Sequence, residues 1–442
     1  MPTPPHPAAT DHAPVLNRPI DALPSRCEVL VVGAGPAGSA AAIVLARAGL
    51  DVVLVDQHAF PRDKVCGDGL IPDAHHALRR LGLLDEVMAT ACHASHVAAI
   101  GPRGGRIDVP GTLAVLPRRE LDLILCRAAV QAGARMFAPV RFVAPLEAGP
   151  ATDPGGLPPV AGARLKWRDE ERDIRADWVV LATGAVPQAL QATGLCRRRT
   201  PTAVALRGYV HHPAMAERIT ALEVAWHPLM RTGYGWIFPC GNGLFNVGVG
   251  VEHSHAHRGE AGDDADDGKA MGQVNLREML RAFATAYPVA GELIAGGRWV
   301  GEVKGAPLRC SLTGAHWSRP GLLVTGEAGG TTFAFTGEGI GKALQTGILA
   351  AETLVEARGA GWPEAQVRRT YEDRVLALRP RYAVYDKASV VNRRPWLVDL
   401  LIWSAHRSPS RLKRMTGVLE ETYMPSDLLS IGSLMRLFVE RG

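Results

Sequence analysis

The chain has 442 residues, 47% of them hydrophobic and 21% charged, with a formal net charge of +5 at pH 7. That length suits two domains, or one nucleotide-binding domain with insertions, and the apolar fraction excludes an intrinsically disordered protein. No window approaches about 18 uninterrupted apolar residues, which excludes a membrane-spanning helix; seven cysteines with no CxxC pair favour reduced thiols in a cytoplasmic compartment over a disulfide or zinc framework.

Residues 1–26 are Pro-rich and lack a signal-peptide core, so they read as a disordered leader. Cys27–Val32 (CEVLVV) is a short buried strand, followed by GAGPAGSAAAIVLARAG, a tight turn entering an Ala-rich helix. LDVVLVD is the second strand and ends at Asp56. A helical pattern begins around Pro72–Leu83, and Arg118–Gly133 is another helix, with Leu121, Ile124, Leu125 and Ala128 on one face. Ala134–Val143 and Ala163–Trp167 read as strands, and Asp177–Ala182 as a further buried one.

From about Thr202 to Val251 the pattern turns to alternation (TAVALRGYV, GYGWIFP, GLFNVGVGV), the mark of an antiparallel sheet. Residues 252–272 are acidic and Gly-rich and read as a surface insertion. His253, His255 and His257 alternate there as metal ligands can, but the segment is too flexible in composition for a preformed site, and no metal is expected. Leu322–Thr325 returns to a buried strand, then come a Gly-rich turn and a helix from about Gly339 to Ala357. Residues 361–442 read as helices and carry 14 Lys+Arg against 9 Asp+Glu, leaving 35 of each elsewhere out of 49 and 44 in the whole chain. The expected fold class is α/β: a Rossmann-like dinucleotide domain (27–200, holding a small part of the substrate domain, and 317–360) interrupted by a β-rich domain (201–316), with a C-terminal helical region (361–442).

Gly33-Ala34-Gly35-Pro36-Ala37-Gly38 follows a strand and opens a helix. Gly33 permits the turn, Gly35 lets backbone approach a pyrophosphate, and Gly38 lets helix and strand pack closely, with the phosphates at the helix N-terminus. Asp56, at the end of the next strand, is placed to accept from an adenosine ribose hydroxyl. The late segment GLLVTGEAGGTTFAFTGEGIGKAL points to a flavin, whose ribityl chain and ring reach far beyond the first βαβ unit. Glu327 could hold a ribityl hydroxyl, and the helix beginning at Gly339-Ile340 could aim its N–H groups at the flavin's pyrimidine edge.

Taken together, GAGPAG, FPRDKVCGDGL, LPRRELDLILCRAAVQAGAR, GYGWIFPCGNGLFNVGVGV and TGEAGG…TGEGIGKAL resemble the geranylgeranyl reductase family, within the para-hydroxybenzoate-hydroxylase-like class of FAD proteins. The likeness runs from about Cys27 to the end of the 340s and implies FAD, a β-sheet substrate domain and reduction of isoprenoid double bonds. Carried over by position, FAD contacts fall on Ala37, Asp56, Cys66, Gly67, Gly69, Arg118, Glu327, Gly339 and Ile340. The resemblance also sets Lys64–Gly67 beside the flavin ring, with Gly67 and Gly69 giving it room. There Cys66 could donate a proton, a nearby cation could draw its thiol toward neutrality, or it could simply be a small packed residue. Tyr234 and Trp236 match the family's substrate-pocket strand. Two departures stand out: Thr183-Gly184 where the class has Asp-Gly, and Gly326-Glu327 where it has Gly-Asp.

Two chemistries fit such a protein: hydride transfer from flavin N5 to an alkene, or oxygen activation by a monooxygenase or halogenase acting on an apolar or aromatic metabolite. A halogenase needs a lysine in its tunnel, and none occurs between Val65 and Leu165. Electrons would come from NAD(P)H or a ferredoxin-type donor. No feature suggests nucleic acid, and no oligomeric state is legible. Arg393-Arg394-Pro395-Trp396…Trp403 sets two tryptophans and an aliphatic run beside basic residues, which suits either peripheral membrane contact or a helix closing the substrate domain.

Overall fold

The chain shuttles between two eight-stranded sheets. The computed structural model describes residues 15–151, 156–196, 201–230, 232–252, 275–313 and 315–424. β1 (Arg26–Val32) and β2 (Val52–Val55) pair in parallel across the helix Pro36–Arg47. Every residue of β2 is buried, as expected for a strand covered on both faces. The chain then crosses to the second sheet for β3 (Gly69–Leu70), β4 (Cys92–Ile100) and β5 (Arg106–Val115). It returns for β6 (Arg135–Phe137), β7 (Arg141–Glu147), β8 (Val160–Trp167) and β9 (Glu170–Leu181), the last running parallel to β1.

β10 (Ala203–His211), β11 (Leu222–Ala225), β12 (Gly233–Gly241), β13 (Leu244–Glu252) and β14 (Arg298–Leu308) complete the second sheet, and β15 (Ser318–Arg319) and β16 (Leu322–Val324) close the first. The resulting orders are β15-β16-β9-β1-β2-β6, with β7 and β8 continuing from β9, and β14-β10-β13-β12-β11-β4-β5-β3. β16 lies parallel to β9, so the late segment lands one strand away from β1 although almost 300 residues separate them. The helix Ile340–Ala360 then packs against Pro36–Arg47. A Cβ on Gly347 would fall 2.1 Å from the Ala37 carbonyl oxygen, and one on Gly326 would fall 2.6 Å from Ala37 Cβ. Glycine at both positions is what lets the two segments touch.

The expected α/β architecture with an interrupting β-sheet domain and C-terminal helices is present, with local differences. The leader ends earlier than residue 26. Residues 1–14 lie outside the described part, but Ile20 is 1% exposed within the cluster of Phe137 and Val140, and Asn17 bonds the backbone of Phe60 through both side-chain atoms. Burying an isoleucine contributes about 1.5–3 kcal/mol, enough to tether a short segment. Ala134–Val143 is two strands rather than one, because Pro139 has no N–H to give to a ladder. β4 and β5, and the helices Leu276–Ala286 and Pro288–Gly296, had no counterpart in the sequence reading. The histidines at 253, 255 and 257 lie outside the described residues. Helices Trp396–Arg407 and Pro409–Leu419 close over β4 and β5, with Val398 and Ile402 packed on Ile107 and Val109.

Candidate active site

Gly33 takes a φ of +102°, and a Cβ there would lie 2.4 Å from the Ala182 carbonyl oxygen. A Cβ on Gly38 would lie 1.7 Å from the Gly33 carbonyl oxygen. Both positions therefore demand glycine, and the turn brings the helix end hard against β1. Gly35 is different: the atoms nearest its missing Cβ are guanidinium nitrogens of Arg118 and Arg62, at 3.6 and 3.8 Å. Two cations thus converge over the turn that sequence assigns to a pyrophosphate.

These cations are fixed by carboxylates behind them. Arg118 makes a bidentate pair with buried Asp122 at 2.7 and 2.8 Å, and Arg62 reaches the same carboxylate at 3.0 Å. Asp56 accepts from the amides of Ala34 and His58, both at 2.9 Å, and lies 3.5 Å from Arg62. Burial alone would raise the Asp56 carboxyl; hydrogen bonding to His58, the charge of Arg62 and the Ala34 amide outweigh it and hold the group below its ordinary value. Oδ2 takes both the Ala34 amide and the long bond from Arg62, whereas Oδ1 takes the His58 amide and can accept a further hydroxyl such as a ribose's.

The return segment supplies the other side. Glu327 lies 3.6 Å from the Lys64 ammonium and accepts from the Thr332 hydroxyl at 3.3 Å. Gly339 is the N-cap of the helix Ile340–Ala360, and Gly339, Ile340 and Gly341 line the cavity. The first-turn N–H groups of that helix have no acceptor within it. Ala37, Ala182 and Ala343 form a small apolar contact between the two glycine-rich segments.

The Lys64–Gly69 loop is held by buried polar groups that sequence reasoning did not find. Arg207, 1% exposed, donates to Asp63 (2.9 Å), to the Lys64 carbonyl (2.7 Å) and to the Cys66 carbonyl (3.2 Å). Asp68, in a left-handed conformation with φ +65°, accepts from Tyr209 at 2.5 Å, Asn246 at 2.7 Å and the Arg118 amide at 3.3 Å. Burial is the main influence on its carboxyl and carries it to about 6 despite these donors. Gly67 and Gly69 back onto the Phe238 ring, where a Cβ would stand 3.3 and 3.4 Å from it.

The environment of Cys66 corrects one expectation. Burial and the neighbouring Asp68 push its thiol above the ordinary range, so the cations Arg118 and Lys64 do not bring it to neutrality. Its sulfur accepts from the Asp68 amide at 3.4 Å.

A cavity of about 1120 Å³ joins the glycine turn, Asp56, Arg62, Arg118, the Lys64–Gly69 loop, Glu327 and Gly339, and extends between β12 and the C-terminal helices, where Val398, Leu401, Ile402 and Leu419 line it. Trp226, Tyr234, Trp236 and Phe238 form an aromatic row along it, successive ring centres 5.7, 6.3 and 6.4 Å apart. Tyr234 donates to the Thr336 carbonyl (2.7 Å), and Trp236 donates to Asn246 (2.9 Å). With both donors engaged inside the protein, these residues stand as walls of the cavity, the place the resemblance gave them.

The residues present fit FAD. Gly33 and Gly38 shape a turn no other residue could, two guanidinium groups stand over Gly35, and Arg62 Nε and Thr183 Oγ1 are buried on the cavity wall without a hydrogen-bond partner among the described residues. Single-ligand pockets run to about 300–1,000 Å³, so this cavity has room for a substrate as well. Sequence reasoning missed Arg62, Asp68, Arg207, Asn246 and Glu338. Only Asp68 and Arg62 carried a local signal, by lying within or beside the glycine-flanked loop.

Comparison with known proteins agrees. An FAD-binding domain model matches residues 26–216. A menaquinone reductase of Mycolicibacterium smegmatis is 32% identical over 77% of this chain and 80% of its own length. Digeranylgeranylglycerophospholipid reductase 2 of Methanopyrus kandleri is 29% identical, over 78% and 81%. The crystal structure of a geranylgeranyl bacteriochlorophyll reductase-like protein from Thermoplasma acidophilum superposes with a TM-score of 0.71 at 20% identity, over 94% of this chain and 96% of that one, a likeness of fold.

Proposed function

The chain belongs to the geranylgeranyl reductase family of FAD-dependent oxidoreductases, and from that premise we propose that it saturates carbon–carbon double bonds of an isoprenoid lipid. The observation that carries the reading is the apolar extension of the cavity, walled by the aromatic row on one side and by Val398, Leu401, Ile402 and Leu419 on the other. The names of the two relatives support it. A menaquinone presents a quinone and a polyprenyl chain, whereas a digeranylgeranyl phospholipid presents prenyl alkenes without a quinone. The reducible group the two lipids share is therefore the prenyl alkene.

Arg62, Arg118 and the glycine turn would hold the FAD diphosphate, Asp56 the ribose, Glu327 the ribityl chain, and the N-terminal turn of Ile340–Ala360 the pyrimidine edge. When bound and reduced, FAD supplies the hydride for such a saturation. The aromatic and aliphatic walls orient a flexible chain and exclude water from it. Arg207 and Asp68 fix the glycine-flanked loop so that Gly67 and Gly69 keep their backbone close to the cavity. Electrons would come from a reduced nicotinamide or a ferredoxin-type protein.

Peripheral contact with an anionic bilayer belongs to the same reading. The helix Trp396–Arg407 turns Val398 and Ile402 inward, while Trp396 and Trp403 are 55% and 41% exposed and the Arg407 guanidinium stacks on Trp403. Aromatic and cationic groups on one face suit the interfacial region of a membrane. Among the described residues no helix is long and apolar enough to cross one.

The test begins with colour. The purified protein should absorb near ~450 nm as flavoproteins do, and after anaerobic reduction a geranylgeranyl lipid that carries no quinone should reoxidise it without oxygen. Reoxidation that requires both substrate and O₂ would instead identify an oxygenase.

A further inference from the structure

Saturating an alkene needs a proton as well as a hydride, and neither Tyr234 on the cavity wall nor Cys66, the residue first considered for that role, is a good source of one. Tyr234 spends its hydroxyl on Thr336, and the Cys66 thiol is buried with a raised pKa. Of the other acids on the cavity wall, Asp56, Asp63, Asp73 and Glu327 each face a cation, Asp68 is fully buried beneath three donors, and Glu252, although burial raises its carboxyl too, is engaged by Ser389, Asn392 and the charge of Arg393.

Glu338 is not committed. It lines the cavity one residue before Gly339, the N-cap of the helix expected at the flavin, and among the described residues it forms no ion pair within 4.0 Å. Its backbone is held firmly. The Phe333 amide donates to the Glu338 carbonyl and the Gly337 amide to the Phe333 carbonyl, both at 2.9 Å. Gly337 takes a φ of +69°, and a Cβ there would sit 2.6 Å from the Tyr234 hydroxyl, so the turn is wedged against the aromatic row.

We propose that Glu338 is the proton donor of the reduction, delivering its carboxyl proton to the alkene carbon that does not receive the hydride. This rests on the alkene-reductase reading. As the π bond breaks, one carbon takes a hydride, with both its electrons, from the reduced cofactor, and the other takes H⁺ from Glu338. The cofactor is left oxidised, the carboxylate regains a proton from solvent, and a dihydronicotinamide or ferredoxin-type donor restores the electrons. The two additions are concerted, because a carboxylic acid is too weak to protonate an unactivated alkene by itself.

The surroundings keep the acid charged with its proton. Burial is the largest influence, followed by the repulsion of Asp73 and Glu421; the Lys342 ammonium and the Thr336 hydroxyl oppose them, and the carboxyl is carried to about 8. Lys342 is the strongest of the opposing groups, but its ammonium is paired with Asp73 at 3.4 Å and with Glu421, and burial prevails. Tyr234 and Tyr385, whose own hydroxyls are pushed up, face the same carboxyl and bring no charge at neutral pH. A donor whose pKa lies near the working pH combines availability with driving force.

The experiment compares wild type, Glu338→Gln and Glu338→Asp as FAD-loaded protein, reduced with dithionite under anaerobic conditions and mixed with a geranylgeranyl lipid that carries no quinone. Wild-type reoxidation should fall above pH about 8, Glu338→Gln should lose about 100-fold or more in rate and lose that pH limb, and Glu338→Asp should recover part of both. Infrared titration of the FAD-free protein gives a readout without turnover: a protonated-carboxyl band that disappears as pH passes about 8 in wild type and is missing in Glu338→Gln. Wild type that no prenyl substrate reoxidises would overturn the reductase reading and this role with it. Wild type that is reoxidised, with Glu338→Gln equally fast or with the same pH limb, would overturn the role alone.

Discussion

Asp68→Asn isolates one buried charge, and its effect can be worked from the structure. The unfolded chain titrates this carboxyl at an ordinary 3.8, whereas burial carries it to about 6 in the fold. Below pH 4 both states hold the proton and the residue contributes nothing to the pH dependence. Between 4 and 6 the folded protein keeps a proton that the unfolded chain has released, so stability falls as pH rises through that window. Above 6 both are ionised and the loss is complete. At about 1.4 kcal/mol per pH unit, the gap between 3.8 and about 6 corresponds to about 3 kcal/mol. Asparagine cannot titrate, and its amide must turn a donor toward the Arg118 amide in order to keep its oxygen on Tyr209 and Asn246, so the variant starts out weaker by about 1–3 kcal/mol. The assay is urea unfolding of both proteins at saturating FAD from pH 4 to 7.5. The stability advantage of wild type over Asp68→Asn should shrink with rising pH, almost all of the change falling between 4 and 6. A difference that stays flat, or grows, would show that the hydrogen bonds to Asp68 outweigh its burial.

Three further outcomes follow from the site. Gly38→Ala drives a methyl into the Gly33 carbonyl, and at about 1–3 kcal/mol for such overpacking FAD affinity should drop about 10- to 100-fold, read as lost colour after dialysis and by fluorescence titration. Circular dichroism close to wild type with unchanged affinity would refute the packing argument. Arg62→Ala removes one of two cations over Gly35 and should cost FAD affinity about 10-fold or more, with a flatter salt dependence; Arg119→Ala on the same helix as Arg118 should leave both unchanged. Trp396→Ser combined with Trp403→Ser should abolish flotation with phosphatidylcholine–phosphatidylglycerol vesicles while leaving FAD content intact. Flotation equal to wild type would remove the bilayer from the account of that helix.

The glycine turn was legible because its chemistry is local: strand, turn and helix run from Arg26 to Arg47, and the steric demand on Gly33 and Gly38 is met by atoms a few positions away or next to the adjoining strand. The return helix was legible for the same reason. What sequence could not show was the company each residue keeps. Arg207 sits in the middle of β10 and reads as an ordinary alternating polar position; only folding turns it inward onto Asp63 and the Lys64 and Cys66 carbonyls. Cys66 looked activated because Lys64 is two residues away, yet the lysine points to Glu327 and burial governs the thiol. β4 and β5 went unread because they are interrupted by irregular register and a proline, which blurs the alternation, and because β11, which ties β4 to the rest of the sheet, lies more than a hundred residues downstream.

The close docking of Ala37 against Gly326 and Gly347 has a consequence for biosynthesis. A ribosome that has released the first three hundred residues has released the diphosphate turn without the floor it rests on, and nothing resembling a complete nucleotide cradle exists until β16 and the helix after it emerge. Cofactor loading is thus deferred to the end of translation, and a truncated or stalled chain should emerge empty. Contacts so distant in sequence also close slowly, which makes the interval before FAD arrives the period when this polypeptide most needs a chaperone.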